Sequence, residues 1–287
     1  MKISTEIGSI CQHVSHEKAI EYVAKAGFDA YDFSMLEMSA YDFERKCFTD
    51  SDSPLHGPEY LKFARRLKKV ADDNGIVCNQ SHAPYPASIP EIRSLFKRAI
   101  ECTAEAGGKI CVIHPDNDKS ADENAEMYLE LLPFAKECGV KIATENMWNY
   151  DFETHKVLPA ACSDPRSFLE HIAAVNDDSF VACLDIGHAE MHGLNTSAVE
   201  MILALDTHLQ ALHIHDNNLR GDYHQIPFSM NIDFDGVVKA LKKIDYKGYF
   251  TLEAQSYIRE FDATNVFEGV KGLAESVKKL SDMYEKL

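Results

Sequence analysis

Short apolar and β-branched runs alternate along this chain with longer stretches whose apolar residues recur every three or four positions. The strand-like runs fall at residues 2–7, 28–33, 76–81, 110–113, 141–144, 180–184, 211–214 and 249–252. Each precedes a helical stretch. Ser15 is placed to cap the first helix, with Ala19, Ile20, Val23 and Ala24 on its apolar face and Gly27 as its stop. Leu61, Ala64, Leu67 and Val70 mark the second, and Ile92, Leu95, Phe96, Ala99 and Ile100 the third. The fourth spans about 121–138, where Pro133 is expected to kink or divide it. Pro165 suits the first turn of the fifth. A short sixth lies near 198–205, and clear apolar faces over 234–244 and 266–280 give the seventh and eighth.

Eight strands in strict alternation with eight helices predict an α/β fold, a parallel (β/α)8 TIM barrel built as one domain from residues 1–287. An open doubly wound sheet is the alternative, but no Gly-rich phosphate loop follows the first strand. Segments 35–56, 147–163 and 217–231 are long for βα connections. All three follow strands, on the face where barrels place their active sites.

A net charge of −17 disfavours nucleic acid and anionic membrane surfaces as partners. No apolar run resembles a signal peptide or a membrane span, and none of the eight cysteines forms a C-x-x-C pair. The expectation is a cytoplasmic protein with reduced, mostly buried thiols.

The chemistry lies at the strand ends. The third strand runs into Ser81-His82, the fourth into Ile113-His114, and the fifth into Thr144-Glu145. The sixth ends at Leu184-Asp185, followed by His188; the seventh carries His213 and His215; the eighth runs into Leu252-Glu253. Strands five to eight form one arc, so Glu145, Asp185, His213 and Glu253 are expected to point at a shared centre. Three carboxylates converge in a dry site only around a cation. Three oxygen donors and one imidazole suit one divalent ion, Mn2+, Co2+ or Mg2+ before Zn2+. His82, His114 and His188 are placed to line the same mouth, whereas His215 is read as turned away from His213, in a structural or supporting role. Trp148, Tyr223 and Phe228 sit on the long loops, where they either cover the apolar faces of a substrate or simply pack.

The motifs from His82 to Glu253 resemble the xylose-isomerase-like barrel superfamily, which includes tagatose and allulose 3-epimerases, inosose dehydratases and endonuclease IV. The resemblance implies a metal-dependent sugar isomerase or epimerase acting on a ketose or polyol, with or without phosphate, through an enediolate. It makes Glu145, Asp185, His213 and Glu253 the metal ligands, and Glu145 and Glu253 the catalytic acid/base pair. The choice of His213 over His215 follows the family spacing to Asp216. His188 would bind substrate with His82, His114, Trp148 and Arg220, although Arg220 stands one residue from the family's arginine. Endonuclease IV holds three zinc ions, and its further ligand positions match His82, His114, His188, Asp222 and His224. A multi-zinc phosphodiester hydrolase is therefore the alternative, and an inosose dehydratase-like lyase another. The glycine-rich stretch after the strand-five Glu in endonuclease IV is replaced here by Asn146-Met147-Trp148-Asn149-Tyr150. Homo-oligomers are common in the resembled family.

Overall fold

The computed structural model describes all 287 residues. Eight parallel strands form the central sheet: β1 (Ile3–Glu6), β2 (Ala30–Ser34), β3 (Val77–His82), β4 (Ile110–Val112), β5 (Lys141–Glu145), β6 (Phe180–Asp185), β7 (Leu209–His213) and β8 (Phe250–Leu252). Their order is β7-β6-β5-β4-β3-β2-β1-β8. The barrel closes just past β7, where the Ile214 amide donates to the Thr251 carbonyl and the Glu253 amide to the Ile214 carbonyl, each at 2.9 Å.

Outside the sheet lie α1 (His16–Ala26), α2 (Tyr60–Asp73), α3 (Phe96–Glu105), α4 (Ala121–Glu137), α5 (Pro165–Val175), α6 (Ala198–Leu205), α7 (Phe234–Lys243) and α8 (Val266–Glu285). The capping chemistry read from the sequence is present. Ser15 Oγ accepts from the Lys18 amide, and Gly27 stops α1 at φ 99°. Asp164 caps α5, with Pro165 in its first turn. Pro133 does not divide α4, which runs unbroken from Ala121 to Glu137. Pro133 lies on the solvent face, so the carbonyl that loses its helical donor faces water.

Two of the long βα segments are hairpins rather than irregular loops. Tyr41–Asp42 pairs with Cys47–Phe48, and Trp148–Asp151 with Lys156–Pro159. No helix is long and apolar enough to cross a membrane. All eight cysteines are free thiols.

Most of the apolar core lies between sheet and helices. Inside the barrel the two halves differ. Val112, Ala143, Val181, Cys183 and Ala211 make a small apolar cluster on β4 to β7. The side formed by β8, β1, β2 and β3 instead buries Thr251, Ser4, Asp32 and Gln80.

Candidate metal centre

Inward-facing positions alternate along a strand, so the apolar cluster leads directly to the site. Ala143 is followed inward by Glu145, Cys183 by Asp185, and Ala211 by His213. Glu145, Asp185 and His213 are at most 1% exposed, and Glu253 is 9% exposed. One ligand atom from each of these four residues lies within 4.8 Å of the others. Asn146, next to Glu145, ties two strand ends together: its amide nitrogen donates to the Asp185 carbonyl, and its side-chain oxygen accepts from the Asp185 amide. Asp185 then caps the short helix Ile186–Ala189 by accepting from the His188 amide at 2.7 Å. That turn lifts His188 into the mouth.

Of the further groups that adjoin this one, two bring in new residues at the mouth. His82, His114 and Glu145 form the second, and His188, His215, Asp222 and His224 the third. Glu145 belongs to both the first and the second. His114 Nε2 lies 3.1 Å from Glu145 Oε2 and 2.9 Å from His82 Nε2. Asp222 Oδ2 is 3.0 Å from His224 Nε2 and 3.3 Å from His188 Nε2. His215 Nε2 sits 3.1 Å from Asp185 Oδ1 and 3.2 Å from Asp222 Oδ1.

The histidines are aimed by their other nitrogens. Nδ1 of His82 donates to the Ala83 carbonyl, that of His188 to the Asn146 carbonyl, and that of His224 to the Glu253 carbonyl, each at 2.8 Å. Their Nε2 atoms therefore present toward the carboxylates. His213 is turned the other way: Nε2 donates to Asp32 Oδ2 at 3.1 Å, and Nδ1 faces Glu145 Oε1 at 2.9 Å.

Charges are strongly coupled here. Burial opposes ionisation of Glu145, yet His213 and the hydrogen bonds from His114, His213 and His82 hold its carboxyl well below the usual range. Burial likewise opposes a charge on His188, but Asp185 and Asp222 lift it to about 10. His213 and His215 stand well above the ordinary imidazole value, against burial, because of Cys183 and Glu145 around the first and Asp185 around the second. The donor set fits a divalent cation on a direct observation: Asp185 Oδ2, Asp222 Oδ1 and His215 Nε2 are buried without an aligned hydrogen bond, although acceptor and donor atoms crowd together. Carboxylates and imidazoles so arranged could hold a divalent metal ion.

Above the centre a cavity of about 450 Å3 opens to solvent, lined by His82, His114, Glu145, Trp148, His188, Asp222, His224 and Glu253 among others. Asp185 and His213 lie beneath it, fully buried. Trp148 lies edge-on to His188, their ring centres 6.3 Å apart. Arg220 is not brought to the site: it is exposed and absent from the lining. Tyr223 is 45% exposed, and Phe228 packs on Phe234 under the Lys279 ammonium, so neither lines the cavity.

His215 corrects the sequence reading. Residues two apart on an extended segment share a face, so His213 and His215 both turn inward. A signal was available in Gly187: a Cβ there would lie 1.9 Å from His215 Cε1, so the site needs glycine beneath that ring. Asp32, Gln80 and Tyr85 are further residues of the site region that the strand-end pattern does not mark. Tyr85 stacks on His114 at 4.9 Å.

The family model described as "Xylose isomerase-like TIM barrel" matches residues 20–282, and the chain belongs to that family. An uncharacterised protein of Methanocaldococcus jannaschii, MJ1311, is 28% identical over 272 residues, 88% of each chain. Among solved structures, a D-tagatose 3-epimerase-like protein superposes with a TM-score of 0.72 at 22% identity, covering 100% of this chain and 99% of that one. The IOLI protein with a bound zinc atom superposes with a TM-score of 0.71 at 20% identity, again over 100% and 99%. Likeness at this identity carries the fold.

Proposed function

We propose that this protein is a divalent-metal-dependent isomerase or epimerase of an unphosphorylated ketose or related polyol. The observation that carries the reading is the convergence of Glu145, Asp185, His213 and Glu253 within 4.8 Å under an open cavity. These four would hold the ion, which when bound polarises a substrate carbonyl and its neighbouring hydroxyl. The names of the two solved neighbours, one epimerase-like and one zinc-bound, agree with this reading.

Glu145 and Glu253 come from strands on opposite sides of the mouth. Glu145, held ionised, removes a proton from the carbon beside the carbonyl. Glu253 returns one from the other face, and Gln255 Nε2 steadies its Oε1 at 3.1 Å. His188 lies beside the centre, where it donates to a substrate oxygen, and Trp148 covers an apolar face of the sugar. The lining includes five carboxylates, Asp116, Asp118, Glu145, Asp222 and Glu253, and no lysine or arginine. A wall so rich in carboxylates, with no lysine or arginine in it, favours an uncharged substrate over a phosphate ester.

A second reading has its own observation. The three adjoining ligand groups would hold up to three ions, as a multi-zinc phosphodiester hydrolase requires, and three divalent ions would reverse the sign of the site. Metal stoichiometry on protein purified without chelator separates the two readings. About one manganese or cobalt per chain, together with solvent deuterium entering a ketose at the carbon beside its carbonyl, supports the isomerase. Two or three zinc ions per chain, with cleavage of a phosphodiester and no deuterium uptake, replaces it.

A further inference from the structure

Whereas His82, His188 and His224 are held through Nδ1 by backbone carbonyls, His213 is held through Nε2 by a carboxylate outside the ligand groups. The carboxylate belongs to Asp32, in the middle of β2 and fully buried. Its Oδ2 accepts from His213 Nε2 at 3.1 Å and from Gln80 Nε2 at 3.0 Å. Gln80 is itself fixed. Its Oε1 accepts from Asn79 Nδ2 at 3.1 Å and from Thr251 Oγ1 at 3.4 Å, and Asn79 Oδ1 accepts from Ser4 Oγ at 2.6 Å. A column of polar side chains thus crosses the barrel interior from β1, β3 and β8 and ends on the His213 ring.

Such a column is a poor device for stability. Burying a carboxylate is costly, and Asp32 Oδ1 has no partner at all. Replacing buried ionic groups by well-packed apolar ones is often neutral or stabilising. What the column does achieve is orientation. With Nε2–H committed to Asp32, Nδ1 is the nitrogen left facing the carboxylates, 2.9 Å from Glu145 Oε1 and 3.6 Å from Glu253 Oε2.

We propose that Asp32, steadied by Gln80, is a positioning residue that fixes the ring and tautomer of His213 so that Nδ1 is its ligating atom. This rests on the metal reading of the Glu145, Asp185, His213 and Glu253 centre. The test uses the full chain, stripped of metal and titrated with Co2+ alone, following both affinity against a chromophoric chelator and the visible absorption of the bound ion. Asp32→Ala is expected to weaken Co2+ binding about 10- to 100-fold and to change the absorption, because the ring can then rotate. Asp32→Asn keeps an accepting oxygen and is expected to recover most of the affinity and the original spectrum. Gln80→Ala leaves the carboxylate but frees it to turn; a loss of several-fold with a spectral change is expected, and this variant serves if Asp32→Ala does not fold. A folded Asp32→Ala or Gln80→Ala chain that melts earlier but keeps the wild-type affinity and spectrum overturns the proposal while leaving the metal centre intact. A wild-type chain that takes up no Co2+ overturns the metal reading itself.

Discussion

The two halves of the barrel interior are built from opposite materials. On β4 to β7 the layer beneath the site is small and apolar, from Val112 across to Ala211. On β8, β1, β2 and β3 the corresponding space holds Thr251, Ser4, Asp32 and Gln80, linked by hydrogen bonds. The apolar half supplies most of the proposed ligands, since Glu145, Asp185 and His213 rise from it. It gives them low-dielectric surroundings, where paired charges act strongly and unpaired ones are costly. The polar half supplies Glu253 and reaches across to hold His213. Chemistry and its support are thus segregated by strand.

The largest effect should come from the apolar half. Glu145→Gln removes a carboxylate that more than one candidate ligand group shares, and the proposed base. Once a substrate is found, turnover should fall about 10²- to 10⁴-fold, the usual worth of a general base. Retention of full turnover by a metal-loaded variant would break the assignment of chemistry to this half.

Gly187→Ala comes next. The added methyl would lie 1.9 Å from the His215 ring and 2.3 Å from its Nε2, so the imidazole or the short helix must move. Overpacking of this kind costs about 1–3 kcal/mol, read as a lowered denaturation midpoint. If His215 takes part in the centre, metal affinity should drop as well, and Gly187→Ala with His215→Ala should restore the stability but not the affinity. Restoration of both would make His215 a packing residue.

These two tests touch different degrees of legibility. The barrel was readable because each β–α unit repeats the same pattern of a short apolar run, a cap and a helical period. Glu145, Asp185 and Glu253 were readable because a charged side chain directly ending an apolar strand has few structural reasons to be there. Asp32 and Gln80 interrupt strands at mid-length, and a single polar residue in a short strand does not reveal whether it faces helix or barrel axis. His215 was misplaced against the alternation, since a period of two puts it on the same face as His213. Arg220 was carried over on family spacing alone, and a one-residue offset on a turn sends the side chain into solvent.

Proton linkage gives a smaller, graded effect. His188 rises from its ordinary 6.5 to about 10 in the folded chain, held up by Asp185 and Asp222 against burial. A group raised on folding stabilises most below its unfolded value, so this contribution is complete below pH 6.5 and is lost as pH climbs through 10. Chelator-stripped protein should therefore melt at lower temperature as pH passes from 6.5 to 10, and His188→Gln should flatten that slope. Metal uptake in the same window should release protons, because ligands coordinate in their deprotonated form. A slope unaltered by His188→Gln would remove this histidine from the charged network.

The smallest effect is the one that isolates the site from the loop above it. Arg220 follows β7 closely enough to suggest an anion-binding role, but the structure leaves its side chain in solvent, outside the cavity lining. Arg220→Ala is expected to change stability by less than about 0.5 kcal/mol and to leave metal affinity and turnover within twofold. Its value lies in the charge argument. The lining carries five carboxylates and no lysine or arginine, so an uncharged substrate should be indifferent to Arg220. A phosphorylated substrate would need a cation from somewhere, and Arg220 lies on the loop that follows β7 at the mouth. A KM raised tenfold or more by Arg220→Ala, with kcat unchanged, would show that this loop closes over an anionic group, and the neutral-substrate reading would give way to a sugar phosphate.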